Sequence, residues 1–135
     1  LEARDGAQEE VLGFLGHRGR YAVRVDGVVV EAFGFEENLM TAGTALASSG
    51  IAFAMRYIRA SSEGGVELGF YPDQAKEIVL KTVKGAVDLL LANKSNPETE
   101  IDKVTTPGGI TIRGLNEMEL AGFTPSVIRG LKASK

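Results

Sequence analysis

The residues best suited to chemistry lie in one stretch, Lys103-Val104-Thr105-Thr106-Pro107-Gly108-Gly109-Ile110-Thr111-Ile112. A hydroxyl residue, a proline and two glycines open what reads as an amphipathic helix. Thr106 is placed as an N-cap, its oxygen accepting from a first-turn N–H. Pro107 then falls at the first helical position, where a missing N–H costs nothing and φ is already helical. Gly108 and Gly109 are poor helix formers, but without a Cβ they leave the free first-turn N–H groups open to a ligand. The positive end of the helix dipole faces the same way, so a small anion is the expected guest.

The elements that must position this stretch are mostly helical. Gln8, Glu9 and Glu10 beside Val11, Leu12, Phe14 and Leu15 read as a short amphipathic helix over 7–16, stopped by Gly16 and Gly19. Tyr21–Val25 and Val28–Phe33 flank Asp26-Gly27, a hairpin signal because both turn residues need positive φ. From Glu36 the period becomes helical. All four prolines fall in this part, in Tyr71-Pro72, Asn96-Pro97, Thr106-Pro107 and Thr124-Pro125, and each is expected to open a helix. The implied helices cover 37–47, 50–68, 72–94, 97–103, 107–121 and 125–133. In 72–94, Ala75, Ile78, Val79, Thr82, Val83, Ala86, Val87 and Leu90 recur at helical spacing, and Leu89-Leu90-Leu91 widens the apolar face enough to imply burial on two sides. The 42–65 segment is rich in small residues that let helix axes approach closely. Ser48-Ser49-Gly50 reads as a break between two tightly packed helices; the sharper alternative is a kink whose hydroxyls face a ligand.

Composition bounds the rest. A chain of 135 residues favours one domain, or one domain with an appendage. Its 44 % hydrophobic and 24 % charged content is that of an ordinary globular protein. A net charge of −3 argues against general nucleic-acid or anionic-membrane affinity. With no cysteine and one histidine, His17, neither thiol chemistry nor a histidine-based metal site is expected. No apolar run reaches the roughly 18 residues of a membrane span. The polar start Leu1-Glu2-Ala3-Arg4-Asp5-Gly6 does not read as a signal peptide, and without an initiator methionine a fragment or processed product is expected.

Several pieces together carry a family likeness: Glu36-Glu37-Asn38-Leu39-Met40, Thr44 to Phe53, Glu63-Gly64-Gly65-Val66-Glu67-Leu68-Gly69, Pro72 to Ala75, Gly85-Ala86, Asp102 to Ile112, Gly114-Leu115, Glu119 and Gly122-Phe123. Residues 36–134 resemble the C-terminal domain of pyrroline-5-carboxylate reductase; the Pro-Gly-Gly stretch followed at this distance by Gly-Phe is specific to that family. The resemblance implies a mainly α fold, a helical bundle dimerisation domain like the C-terminal domain of 6-phosphogluconate dehydrogenase. Here it spans 35–135 and is preceded in 1–34 by the short helix and β-hairpin, a remnant or appended segment. The family works as an interleaved homodimer, higher assemblies being left open, and binds NADP or NAD on a separate N-terminal Rossmann domain. It reduces 1-pyrroline-5-carboxylate to L-proline, and a cytoplasmic location follows from it.

The chain departs from the family in three places. No Gly-x-Gly-x-x-Gly follows a strand, so no cofactor is expected on this chain alone and the chain alone is expected to be inactive. The usual Ser-Gly-Ser-Gly-Pro appears as Ala47-Ser48-Ser49-Gly50-Ile51, and the usual Thr after Pro-Gly-Gly is Ile110. Residues 19–34 form a hairpin where the resemblance leads one to expect a single strand and a direct passage into the helices.

The resemblance assigns the backbone N–H groups of Gly108, Gly109 and Ile110 to the substrate carboxylate, with the Thr106 and Thr111 hydroxyls adding a bond each. Thr44 is the candidate for the imine-nitrogen side, as a hydroxyl donor or a water holder. Taken alone, Thr106 only caps a helix, Thr111 fills a helix face and the glycines permit close packing; the family match tilts them towards a site. Asp102 and Lys103 read as solvated charges, His17 as a surface residue, and Phe53 and Tyr57 as core or dimer seam. Two further function classes stay open: a non-catalytic helical dimerisation module, and a general carboxylate-binding domain.

Overall fold

The computed structural model describes residues 10–12, 20–25, 28–34 and 37–135, the strands by their backbone alone. Strands β1 (Glu10–Leu12), β2 (Arg20–Val25) and β3 (Val28–Gly34) form an antiparallel sheet in the order β1-β2-β3. Glu10 pairs with Arg24, and Val25 lies opposite Val28, with an irregularity between Val23 and Arg24. The Asp26-Gly27 pair itself lies outside the described residues. Glu10–Leu12 corrects one expectation: these residues are strand, not part of a helix over 7–16. A segment that short, bounded by Gly13 and Gly16, gains little from helix nucleation, whereas the backbone of β2 offers ready partners. The rest of 7–16 and His17 lie outside the described residues.

From Glu37 onward the structure is helical: a 3₁₀ turn (Glu37–Leu39), α1 (Met40–Thr44), a π-helical turn (Ala45–Ser49), α2 (Gly50–Glu67), α3 (Pro72–Asn93), α4 (Pro97–Val104), α5 (Ile110–Leu120) and α6 (Phe123–Ala133). The chain divides into two compact units, Leu1–Phe53 with Ile128–Lys135, and Ala54–Val127.

In the first unit, Ser48-Ser49-Gly50 does not break the helix. The chain passes from α1 through one π turn straight into α2. Widening the hydrogen-bonded ring absorbs the irregularity that the small residues announce. Thr44 Oγ1 donates to the Met40 carbonyl at 3.0 Å, a back-bond that itself loosens the helical ladder. Ala45 and Ser48 are buried on this turn, and Ser48 Oγ is without a hydrogen-bond partner among the described residues. Toward the C-terminus, Gly130 accommodates the Phe53 ring, which a Cβ there would touch at 3.4 Å.

In the second unit, α2 ends in a paired glycine cap. Phe70 N–H reaches the Gly65 carbonyl at 3.1 Å and Gly69 N–H that of Val66 at 2.9 Å, with Gly69 at φ +109°. The turn lets α3 return against α2 so closely that a Cβ on Gly65 would stand 2.9 Å from that of Ala75. Pro72 opens α3 as expected, and Gln74 Oε1 accepts from the Tyr71 N–H at 3.3 Å. Lys94 closes α3 in the left-handed region, φ 48°. Asn96 caps α4, its side chain accepting from the Glu98 N–H at 3.0 Å, with Pro97 next. Tyr57 and Phe123 meet edge to face, their centroids 6.3 Å apart. Helix α6 starts two residues earlier than expected, at Phe123, which places Pro125 third. The whole first turn lacks carbonyl partners, so a proline is tolerated anywhere in it.

Very little apolar surface is internal. Among the described residues the buried apolar side chains are Ala45 and Ala75 alone, while Leu91 is 71 % and Leu120 82 % exposed. Leu89 is exposed as well, so the double-sided burial expected for α3 is not found among the described residues.

Candidate functional site

The anion site expected at 106–111 is built differently from the sequence reading. Helix α4 runs to Val104, and Thr105 turns the chain outward at φ −106°, ψ 111°. Its Oγ1 donates to the carbonyls of Ile101 at 3.2 Å and Asp102 at 3.1 Å, which seals the helix end. Thr106 is not an N-cap and Pro107 is not the first residue of a helix. The Thr106 carbonyl instead accepts from the Gly109 N–H at 2.9 Å, closing a four-residue turn around Pro107-Gly108. Gly108 has φ +70°, so the turn carries proline second and a positive φ third, the type II pattern. Helix α5 then starts at Ile110 with Gly109 as its N-cap, φ −70°, ψ 170°, and no side chain caps it.

Both glycines therefore have a structural duty. Gly108 occupies a conformation that other residues strain to adopt. Gly109 lies so close to Thr106 that a Cβ would stand 2.5 Å from its Oγ1 and 3.0 Å from its carbonyl oxygen. The consequence for the anchor is a shift along the chain. The Gly109 N–H is already engaged by the turn, whereas the N–H groups of Gly108, Ile110, Thr111 and Ile112 meet no acceptor among the described residues. Thr106, Gly108, Ile110 and Thr111 are all exposed, so the amides stand beside open solvent.

Two residues escaped the sequence reading. Arg113 Nε donates to the Gly109 carbonyl at 3.4 Å, laying a guanidinium along the first turn of α5. Glu100 is buried on α4 and gathers three donors, among them Lys103, which is thus a partner in an ion pair and not merely a solvated charge. The signal for Arg113 is its place in the first turn after a glycine cap. Glu100 had none, since its partners come together only through the left-handed residue at Lys94. Thr44 belongs to the first unit and 106–111 to the second. Its hydroxyl proton is committed to the Met40 carbonyl, which leaves its lone pairs for accepting.

A family model described as pyrroline-5-carboxylate reductase dimerisation matches residues 37–135. The chain belongs to this family. Among relatives of the reductase family, Dictyostelium discoideum pyrroline-5-carboxylate reductase 1 is 54 % identical over 99 residues, 73 % of this chain and 18 % of that protein. The same organism's pyrroline-5-carboxylate reductase 2 is 45 % identical over 104 residues, 77 % of this chain and 35 % of that protein. A crystal structure of the Streptococcus pyogenes reductase, 34 % identical, matches with a TM-score of 0.73 over 76 % of this chain and 39 % of that one. A Plasmodium falciparum reductase solved with NADP bound matches with a TM-score of 0.71 at 29 % identity, covering 74 % of this chain and 38 % of that one. The chain thus spans well under half the length of each of these reductases. The helical dimerisation fold expected from the reductase resemblance is the fold of the described residues from Glu37 on.

Proposed function

We propose that this chain is the substrate-binding and self-association part of a pyrroline-5-carboxylate reductase, the enzyme that reduces 1-pyrroline-5-carboxylate to L-proline with NADPH or NADH. The observation that carries the reading is the set of unpaired amides at Ile110, Thr111 and Ile112, presented behind the Pro107-Gly108-Gly109 turn. Three aligned N–H groups at the positive end of a helix form a carboxylate seat. Gly108 N–H and the Thr106 and Thr111 hydroxyls border it, and the exposed Ile110 offers apolar surface to ring methylenes.

A dinucleotide takes a strand, a glycine-rich turn and a helix N-terminus in immediate succession. Strand β3 leads instead towards a 3₁₀ turn at Glu37, and no Gly-x-Gly-x-x-Gly occurs in the 135 residues. These residues do not fit the nicotinamide cofactor, and the hydride donor would have to be held by another domain. The part played by this chain is to bind and orient the ring and to keep water from it.

Self-association follows from the exposed apolar faces. Helices with so few buried contacts are marginal alone, and patches this extensive mark an interface. A second copy interleaving over α2 and α3 is the proposed cover. No helix among the described residues is long and apolar enough to cross a membrane; a cytoplasmic working location is proposed from the family likeness, not from that absence.

Titration of the ¹⁵N-labelled chain with L-proline tests the site. Shifts centred on the Ile110–Ile112 amides are expected at millimolar ligand. Shifts confined elsewhere, or none, refute it and leave the non-catalytic dimerisation module. Sedimentation at micromolar concentration is expected to find a two-chain species; a well-folded monomer refutes the assembly.

A further inference from the structure

We propose that Glu100 is a positioning residue for the carboxylate seat: its buried side chain ties the end of α3 to α4, and so fixes where α4 delivers the Thr106–Gly109 turn and the open amides of α5. The inference rests on the reading that those amides hold a substrate carboxylate.

Glu100 is 8 % exposed, the one buried ionisable side chain among the described residues and the one buried residue of α4. A single oxygen, Oε1, accepts from Ser95 Oγ at 2.5 Å, Lys103 Nζ at 3.0 Å and Asn93 Nδ2 at 3.3 Å. These donors come from three places: the last residue of α3, the connection, and one turn further along α4. An unpaired carboxylate here would be costly to bury, and the three bonds answer that cost. The hydrogen bond from Ser95, and then that from Lys103, hold its pKa below the ordinary carboxylate value against the opposing effect of burial. The other ion pairs of the second unit are of a different kind: Arg59–Glu63, Asp73–Lys76, Glu77–Lys81 and Lys84–Asp88 each join exposed neighbours on one helix.

No apolar side chain of α4 is fully buried; Ile101 is half-buried and Val104 is exposed, so hydrophobic packing holds this helix only in part. Asn96 caps its start but grips only α4 itself. Glu100 supplies the grip on α3. Eight residues of helix make a lever about 12 Å long. Swung by about 10° at its base, that lever moves its far end by about 2 Å. Its far end is Val104, next to Thr105 and the turn. An oriented site loses function steeply with such displacement, by as much as about 100-fold for 1 Å. Glu100 touches no ligand in this scheme; it acts through the placement of α4.

The test uses the full chain, ¹⁵N-labelled, with L-proline as the probe. E100A is expected to weaken proline binding roughly tenfold or more, and to displace the Gly108–Ile112 amide signals before any ligand is added. E100Q keeps an acceptor oxygen for Ser95 and Lys103 and is expected to restore most of the affinity. Should E100A lose helicity by circular dichroism, the double variant N93A/S95A decides. It leaves Glu100, Lys103 and the seat intact, and is expected to weaken binding several-fold with helicity unchanged. Wild-type affinity and unmoved amide signals in E100A, or in the double variant where E100A is unfolded, overturn the inference alone. Absence of proline shifts in the wild-type chain sinks the functional reading, and this inference with it.

Discussion

Replacing the two glycines of the turn separates two kinds of damage. Alanine at Gly108 meets nothing within 4 Å, but it must hold φ +70°. The left-handed conformation costs an alanine about 1–2 kcal/mol, with no force pushing the turn out of shape. Alanine at Gly109 has the opposite problem. Its φ of −70° and ψ of 170° are ordinary, and loss of unfolded-state freedom favours the variant by about 0.4–1 kcal/mol. Its Cβ, however, would stand 2.5 Å from Thr106 Oγ1 and 3.0 Å from the Thr106 carbonyl. The hydroxyl can rotate away. The carbonyl cannot, because it is the acceptor that closes the turn. Overpacking of this size costs about 1–3 kcal/mol, and relief comes by opening the turn. Net stability of G109A is therefore expected to fall by about 0–2.6 kcal/mol, with the α5 amides displaced. Binding is what separates the two variants: G108A loses stability and keeps proline affinity, whereas G109A loses roughly tenfold in affinity, about 1.4 kcal/mol. Asparagine at Gly108, which tolerates positive φ, should recover part of the loss. Urea unfolding at one fixed chain concentration, since assembly shifts apparent stability, and proline titration by amide shifts are the two assays. If G108A damaged binding while G109A damaged only stability, the turn would not be the device that places the amides.

The other expectations concern the frame. Lys94 holds φ 48°, so K94G should raise stability by about 1 kcal/mol in urea unfolding. A methyl at Gly65 would stand 2.9 Å from the Ala75 Cβ, with backbone on both sides. G65A should therefore lower stability by about 1 kcal/mol, the strain outweighing alanine's better helix propensity. Because the folded-state pKa of Glu100 is depressed, its contribution is fully present above the unfolded value of about 4.3 and drains away as pH falls from there through the folded value. Unfolding midpoints measured down that range should fall more steeply for wild type than for E100Q.

The legible parts of the fold were those fixed by backbone chemistry near in sequence. Tyr71-Pro72 and Asn96-Pro97 open their helices because an extended residue followed by a preset φ is a local demand. The same logic applied to Thr106-Pro107 failed. The two glycines after that proline supply the positive φ of a type II turn, so the chain reverses before it coils. Both signals were present; the choice between them depended on Gly108, whose freedom in a helix is a liability and in a turn an asset. The π turn at Ala45–Ser49 was beyond reach, since hydrogen-bond spacing is not written in residue type. Small residues there announced an irregularity without saying which. Glu100 was illegible for another reason. Asn93 and Ser95 reach it only because Lys94 turns the chain left-handed between them, and a lysine gives no warning of that.

These facts bear on why a carboxylate seat can persist where so few of the described apolar side chains are buried. The exposed leucines and isoleucines leave the helices of the second unit dependent on whatever covers them. The path from α3 to α5, by contrast, is held almost wholly by polar and backbone bonds: the Asn96 cap, the Glu100 cluster, the two bonds of Thr105 Oγ1 and the Thr106–Gly109 turn. Each is short in sequence and independent of the apolar faces. An interface can therefore be assembled or remodelled on those faces without redrawing the seat. The division has a chemical reason. Apolar burial is non-directional and suits a broad contact between copies, whereas a carboxylate must be met by donors at fixed angles, which only hydrogen-bonded backbone can guarantee.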